Sequence, residues 1–235
     1  MKIYETENII NCRDLGGYEG ALGTTLTGRA VRCGIPVAPS SSDIELLKNL
    51  GIKTVIDLRG SMEVIESPSV FYNRRDFDYH NISLLETNPA FAGSDIPMWE
   101  MYVYSLENNK RGYADAIRLF TRTKGPVMFH CFLGKDRTGL LAALLLSCAG
   151  VGRDDIVDDY SASYELIEPF VTREIELNTG LVWETDVSRL RSDPENMELL
   201  LDYIDEEYTC VKDYLLDTGL SEGEIEAAGR KLTEE

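Results

Sequence analysis

Apolar residues fall along this chain in two rhythms. Short apolar runs, "IKTVIDLRG" and "PVMFH", and the partly alternating "DFDYHNISLL" have the length and β-branched content of strands. Between them the spacing turns helical: in "SSSDIELLKNLG", Ile44, Leu47 and Leu50 share a face, with an N-cap among the serines or at Asp43 and a stop at Gly51. The Gly- and Thr-rich opening "NCRDLGGYEGALGTTLTGRAVRCG" predicts a turn or hairpin leading into a strand near Arg29 to Cys33.

"TGLLAALLLSCAG" is apolar nearly all round, the pattern of a central buried helix. "RDDIVDDYSASYELIEPFVTREIEL" continues as helix with an interruption near Pro169, and its acidic run reads as a solvated face. Asp193-Pro194-Glu195 opens a long helix with Met197, Leu201, Ile204, Tyr208, Val211 and Leu215 on one side, ending at Gly219. Ser221 and Glu224 form a capping-box pattern for a last helix.

Strands separated by helical segments predict an α/β fold: a largely parallel central sheet flanked by helices on both faces, with a helical lid insertion. The expected organisation is a single domain over 1–235, with segments at about 86–110 and 165–195 as flaps or lids. In such sheets ligands bind beyond the carboxyl ends of the strands.

Composition narrows the classes. The 235 residues are 43% hydrophobic, enough for one sizeable core. A net charge of -18 repels polyphosphate backbones, so nucleic acid is not an expected partner. The five cysteines, at 12, 33, 131, 148 and 210, have neither C-x-x-C spacing nor an even count, which argues against a disulfide framework or a zinc site and for a reducing compartment. The start "MKIYETENIINCRD" lacks a signal-peptide pattern, and no window approaches the roughly 18 apolar residues of a membrane span, so a cytoplasmic location is expected.

The chemistry gathers around "FHCFLGKDRTG". If the strand ends at His130 and the helix begins near Arg137 or Thr138, the intervening turn makes several backbone N–H groups converge at the positive end of a helix, an anion site of phosphate size. A thiol at Cys131, set in that concavity, is favoured as thiolate. Arg137 adds a planar fork for two phosphate oxygens. Phe132, Leu133, Gly134, Lys135, Thr138 and Gly139 complete the binding turn. The reaction this suits is displacement at phosphorus through a phosphocysteine that water then hydrolyses, with no metal and no cofactor. A leaving group needs a proton, and Asp136, Asp95 and Glu86 are the candidate acids, in that order.

The same residues resemble the phosphate-binding loop of the cysteine-dependent tyrosine phosphatases. The Lys135-Asp136 pair is similar to a bacterial and fungal branch that acts on phosphotyrosine or on phosphotyrosine and phosphoserine, some members also on phosphoinositides. "NCRDLGGY", "VIDLRGSMEVIESP" and "VKDYLLDTGLSEGEIEAAGRKL" resemble that branch elsewhere in the chain. The resemblance implies Cys131 as nucleophile, Arg137 as phosphate clamp and Asp136 as acid. It implies Lys135 as a contact to a second charged group and Thr138 as a hydroxyl that steadies the departing sulfur. Gly60 departs from the family's serine, and Cys12 from a commoner aromatic residue.

Other residues have plainer expectations. His130 orients the loop more readily than it moves a proton. Cys12, Cys33 and Cys148 read as packing, with a reversible disulfide to Cys131 as the alternative for the first two. Arg13 and Asp14 form either a structural ion pair or a substrate contact. Arg59 is expected to pair with Glu63 or Glu66 before touching phosphate. Tyr102, Tyr104 and Trp99 read as helix-face packing.

The expected substrate is a phosphorylated protein or a small phosphorylated metabolite. Lys135, Arg74 and Arg75 would favour a doubly charged phosphoinositide, against the overall negative charge. Two other classes compete: a rhodanese-like sulfur transferase, disfavoured by Asp136, and a non-catalytic phosphate-binding module, which has no need of the thiol.

Overall fold

The computed structural model describes residues 1–84, 96–177 and 187–234. Five strands, β1 (Arg13–Asp14), β2 (Ala30–Cys33), β3 (Thr54–Asp57), β4 (Asp78–Asn81) and β5 (Val127–His130), form one sheet in the order β1-β2-β5-β3-β4. All pairs are parallel except β1 with β2. The inner strands β2, β3 and β5 are buried at every position; β3 and β5 read as short, largely apolar runs, while β2 carries the buried Arg32. β4 is an edge strand, and Asp-Tyr-His-Asn suits one partner and partial solvent.

Side chains alternate across the sheet. Val127, Phe129, Ile56 and Ala30 enter a large core, while Met128, Val55, Val31 and Cys33 enter a smaller one. Helix α1 (Ser41–Asn49), capped reciprocally by Ser40 and Asp43, covers the smaller core with Ile44 and Leu47. A short helix α2 (Ser61–Glu66) follows β3.

The larger core lies around α5 (Asp136–Cys148), which packs against α3 (Met98–Asn108), α4 (Lys110–Arg122), α6 (Arg153–Ser161), α9 (Val211–Asp217) and α10 (Glu222–Thr233). Leu140, Leu141, Leu144, Leu145 and Leu146 are all buried there, each burial contributing roughly 1.5–3 kcal/mol. Among the described residues no helix is long and apolar enough to cross a membrane.

Two boundaries and one burial differ from the sequence expectation. The helical stretch after α5 breaks at Ala162, not at Pro169, which lies inside α7 (Ser163–Leu177). The long C-terminal helix is two, α8 (Pro194–Tyr208) and α9, because Thr209 takes a left-handed φ of 75°. The acidic run is not wholly solvated either, since Asp159 is buried on the same face of α6 as Ile156 and Tyr160.

Of the segments expected to be flaps, Met98–Asn108 is helix α3 with Met101, Tyr102 and Leu106 buried. Residues 165–177 belong to α7 and Val187–Leu190 form a 3-10 turn. Residues 85–95 and 178–186 lie outside the described residues, and with them Glu86 and Asp95.

Candidate active site

β5 is the central strand, and its last residue, His130, is level with Cys33 of β2 and Asp57 of β3. The chain leaving β5 therefore emerges between two neighbouring strand ends before entering α5 at Asp136, one residue before the expected start. Its carbonyl groups are tied back in sequence. The Leu58 N–H donates to His130 O at 2.8 Å, Ile35 N–H to Phe132 O at 2.7 Å, and Asn11 Nδ2 to Leu133 O at 3.0 Å. Arg32 Nη2 donates to Gly134 O at 2.8 Å, and the Gly139 N–H to Lys135 O at 2.8 Å. Because the two ends of a peptide plane point opposite ways, carbonyls drawn outward turn the N–H groups inward. The N–H groups of residues 132–136 have no protein acceptor among the described residues.

Gly134 makes this path possible. Its φ is +71°, and a Cβ there would sit 2.3 Å from Cys33 O, against the end of β2. Gly139, one turn into α5, contributes clearance of another kind: a Cβ would lie 3.2 Å from the Tyr160 ring and 3.3 Å from Arg32 Nη2.

Cys131 begins the loop and is buried, 2% exposed. Arg137, also buried, turns both Nη atoms onto Glu63 of α2, at 2.5 Å and 3.0 Å. Glu63 also accepts from the Gly60 N–H at 2.7 Å, so Gly60 serves through its backbone at the place where the family pattern has serine. Burial raises the Glu63 carboxyl, but hydrogen bonds and charge from Arg137, with the Gly60 N–H, more than offset it and hold it below its ordinary range.

The expected partner of Arg59 is thereby corrected. Arg59 instead clasps Asp57, Nη2 to Oδ2 at 2.7 Å, and donates to Ser67 O, since the carboxylate two residues back is already at hand and Glu63 faces Arg137.

Asp136 is partly exposed. Its Oδ1 accepts from Tyr102 OH at 2.5 Å and lies 3.3 Å from Lys135 Nζ. Tyr102 meets Tyr160 hydroxyl to hydroxyl at 2.7 Å. Burial, then the Asp136 charge, pushes the Tyr102 phenol far above its ordinary value, so it acts as a neutral donor. Packing alone does not describe Tyr102.

Lys135 is buried too. Its ammonium donates to Arg189 O and Arg191 O and forms an ion pair with Asp136. Thr138 is buried at the first turn of α5, its Oγ1 without a hydrogen-bond partner among the described residues.

His130 is buried with Nδ1 3.0 Å from Cys131 O. Burial lowers its pKa despite Asp57 nearby, so the ring is neutral and suited to orienting the loop. Burial pushes Cys12 and Cys148 up to about 12 and Cys33 well above its ordinary value, as expected of packing thiols.

Arg13 and Asp14 do not pair with each other. Arg13 is fully buried against Asp159 at 3.1 Å, and Asp14 accepts from Tyr4 OH and from the Gly16 and Gly28 N–H groups. Arg74 pairs with Asp76 at the surface. Sequence reasoning missed Glu63 as the partner of Arg137, and it missed Asn11, Arg32 and Asp159 altogether. The signal for Asp159 was its place on the Ile156–Tyr160 stripe; for Asn11 and Arg32 the chain offers none.

A family model described as the tyrosine phosphatase family matches residues 4–234. A Cupriavidus necator protein assigned as a tyrosine-protein phosphatase is 35% identical over 188 residues, 74% of this chain and 68% of that one. The triple specificity protein phosphatase PtpB of Mycobacterium tuberculosis is 34% identical over 113 residues, 43% of this chain and 41% of its own. Among solved structures, P. aeruginosa TpbA aligns with a TM-score of 0.45 at 14% identity, covering 83% of this chain and 89% of that one.

Proposed function

Since this chain belongs to the tyrosine phosphatase family, we propose that it hydrolyses phosphomonoesters, phosphotyrosine foremost, through a phosphocysteine formed on Cys131. The observation that carries the proposal is the loop itself. A thiol, a row of inward N–H groups and a guanidinium braced by Glu63 occupy one turn between β5 and α5.

The phosphate group enters with its oxygens on the N–H groups of residues 132–136. Glu63 fixes the plane of the Arg137 guanidinium, which clamps phosphate oxygens in this reading. Cys131 Sγ attacks phosphorus in line, the P–S bond forms and the P–O bond to the leaving group breaks. Asp136 gives its proton to the departing oxygen. Water then attacks phosphorus, Asp136 takes a proton from it, and sulfur leaves as thiolate toward the Thr138 hydroxyl. Negative charge that builds on the phosphoryl oxygens meets fixed donors that need no reorganisation.

Phosphotyrosine comes first among substrates because the Cupriavidus necator relative carries a tyrosine-protein phosphatase name. The engagement of Lys135 with Arg189 O and Arg191 O counts against a second anionic group at that position, and so against a phosphoinositide.

The test is hydrolysis of p-nitrophenyl phosphate in EDTA and reductant, comparing the parent with Cys131→Ser. Activity confined to the parent is expected. Phosphate binding without turnover in both would favour a binding module, and thiosulfate turnover a sulfur transferase.

A further inference from the structure

Two adjacent carbonyl groups of the phosphate loop are held by one closed network. From Leu133 O the path runs to Asn11 Nδ2, whose amide oxygen accepts from Arg13 Nη1. Arg13 Nε meets Asp159 Oδ1 at 3.1 Å, Asp159 Oδ2 accepts from Arg32 Nη1, and Arg32 Nη2 returns to Gly134 O at 2.8 Å. Ser163 Oγ accepts from both guanidinium groups, and Tyr18 OH donates to Asp159. Asn11, Arg13, Arg32 and Asp159 are all at most 3% exposed.

The arrangement is expensive if packing is its purpose. Burying charge carries a desolvation penalty that apolar residues of similar volume avoid. Burial raises the Asp159 carboxyl, but Arg32 and Arg13 more than offset it and keep it ionised. Among the described residues, two guanidinium groups then share one carboxylate, which leaves an excess of positive charge beside an anion-binding turn. The backbone also makes room for the network: Asn11 takes a left-handed φ of 55°, and the missing Cβ of Gly139 lets Arg32 pass.

We propose that Asn11 and Arg32, joined through Arg13 and Asp159, are positioning residues of the phosphate loop: they hold the Leu133 and Gly134 carbonyls out of the cradle and leave a net positive charge beside it. The inference rests on the phosphatase reading of the loop, yet it concerns the anion site and is tested there.

The experiment compares the parent with Asn11→Gly, Arg32→Lys and Arg32→Met. Three readouts are taken: the dissociation constant for inorganic phosphate, the pH midpoint of Cys131 alkylation by iodoacetamide, and the melting temperature. Glycine adopts the conformation of Asn11 without strain, so Asn11→Gly removes the amide alone.

Phosphate binding about tenfold weaker in Asn11→Gly, with the alkylation midpoint moved to higher pH, is the expected result. Arg32→Lys, which keeps the charge but loses the fork, should fall between the parent and Arg32→Met. A folded Asn11→Gly whose phosphate affinity and alkylation midpoint match the parent would overturn the inference, whether or not the Arg32 variants fold. A parent that binds phosphate without hydrolysing p-nitrophenyl phosphate would remove the phosphatase reading alone, and these affinities would still decide the inference. A parent that binds no phosphate would overturn both.

Discussion

Glu63 and Arg137 form a two-point ion pair, Oε2 to Nη1 at 2.5 Å and Oε1 to Nη2 at 3.0 Å, joining the first turn of α2 to the first turn of α5. The pair fixes the plane of the guanidinium that the proposed reaction assigns to phosphate. Glu63→Gln keeps one acceptor and loses the charge, so kcat/KM for p-nitrophenyl phosphate should fall by about ten- to a hundredfold, the worth of one or two charge-assisted hydrogen bonds. Because the Glu63 side chain is 37% exposed, the melting temperature should fall only modestly, by a measurable amount at neutral pH. Steady-state kinetics and a thermal melt on the same preparation check both parts.

The same pair sets a pH window. The Glu63 carboxyl is held below its ordinary value of 4.5 in the folded protein, so its contribution to stability is fully present above that value and is lost as pH falls through the lower, folded one. The melting-temperature difference between parent and Glu63→Gln should therefore stay constant from about pH 7 to 5 and shrink in more acid buffer. A difference that disappears above pH 5 would contradict this.

Asp159 stands between Arg13 and Arg32, with burial on every side. Asp159→Asn leaves two guanidinium groups without a counter-charge, and removing one partner of a buried ion pair costs about 3–5 kcal/mol. Denaturant unfolding at neutral pH should show that loss. A change below about 1 kcal/mol, the scale of exposed pairs, would mean that the group is hydrated.

In the proposed reaction Asp136, held by the Tyr102 hydroxyl, is the acid that protonates the leaving group. Asp136→Asn should slow hydrolysis of an alkyl phosphate by about 10²-fold or more while affecting p-nitrophenyl phosphate much less, because nitrophenolate scarcely needs a proton. Tyr102→Phe removes the 2.5 Å bond to Asp136 and the contact with Tyr160, at a stability cost of about 1 kcal/mol. Equal rate losses on the two esters in Asp136→Asn would assign that carboxyl to shaping the loop.

The loop was legible in the sequence because its chemistry is contiguous. His130 through Gly139 carries the thiol, the glycine and the arginine on one short stretch, flanked by an apolar strand and an apolar helix. The supports were not legible, because each joins residues far apart in the chain: Glu63 to Arg137, Arg13 to Asp159, Arg32 to Gly134. Charge patterning misled at Asp159, where the acidic run hid one carboxylate on an apolar stripe. Periodicity also carried the C-terminal helix through Thr209, since apolar spacing continues on both sides of a break made by one backbone angle.

The central claim is that Cys131 becomes phosphorylated during turnover. The most direct measurement is acid quenching of the enzyme during hydrolysis of a phosphotyrosine peptide, followed by mass spectrometry of the fragment that contains Cys131. A phosphate on the Cys131 sulfur, present during turnover and absent when substrate is exhausted or in Cys131→Ser, is the predicted result. Turnover that proceeds undiminished in Cys131→Ser, with no phosphate on Cys131 in the parent, would contradict it.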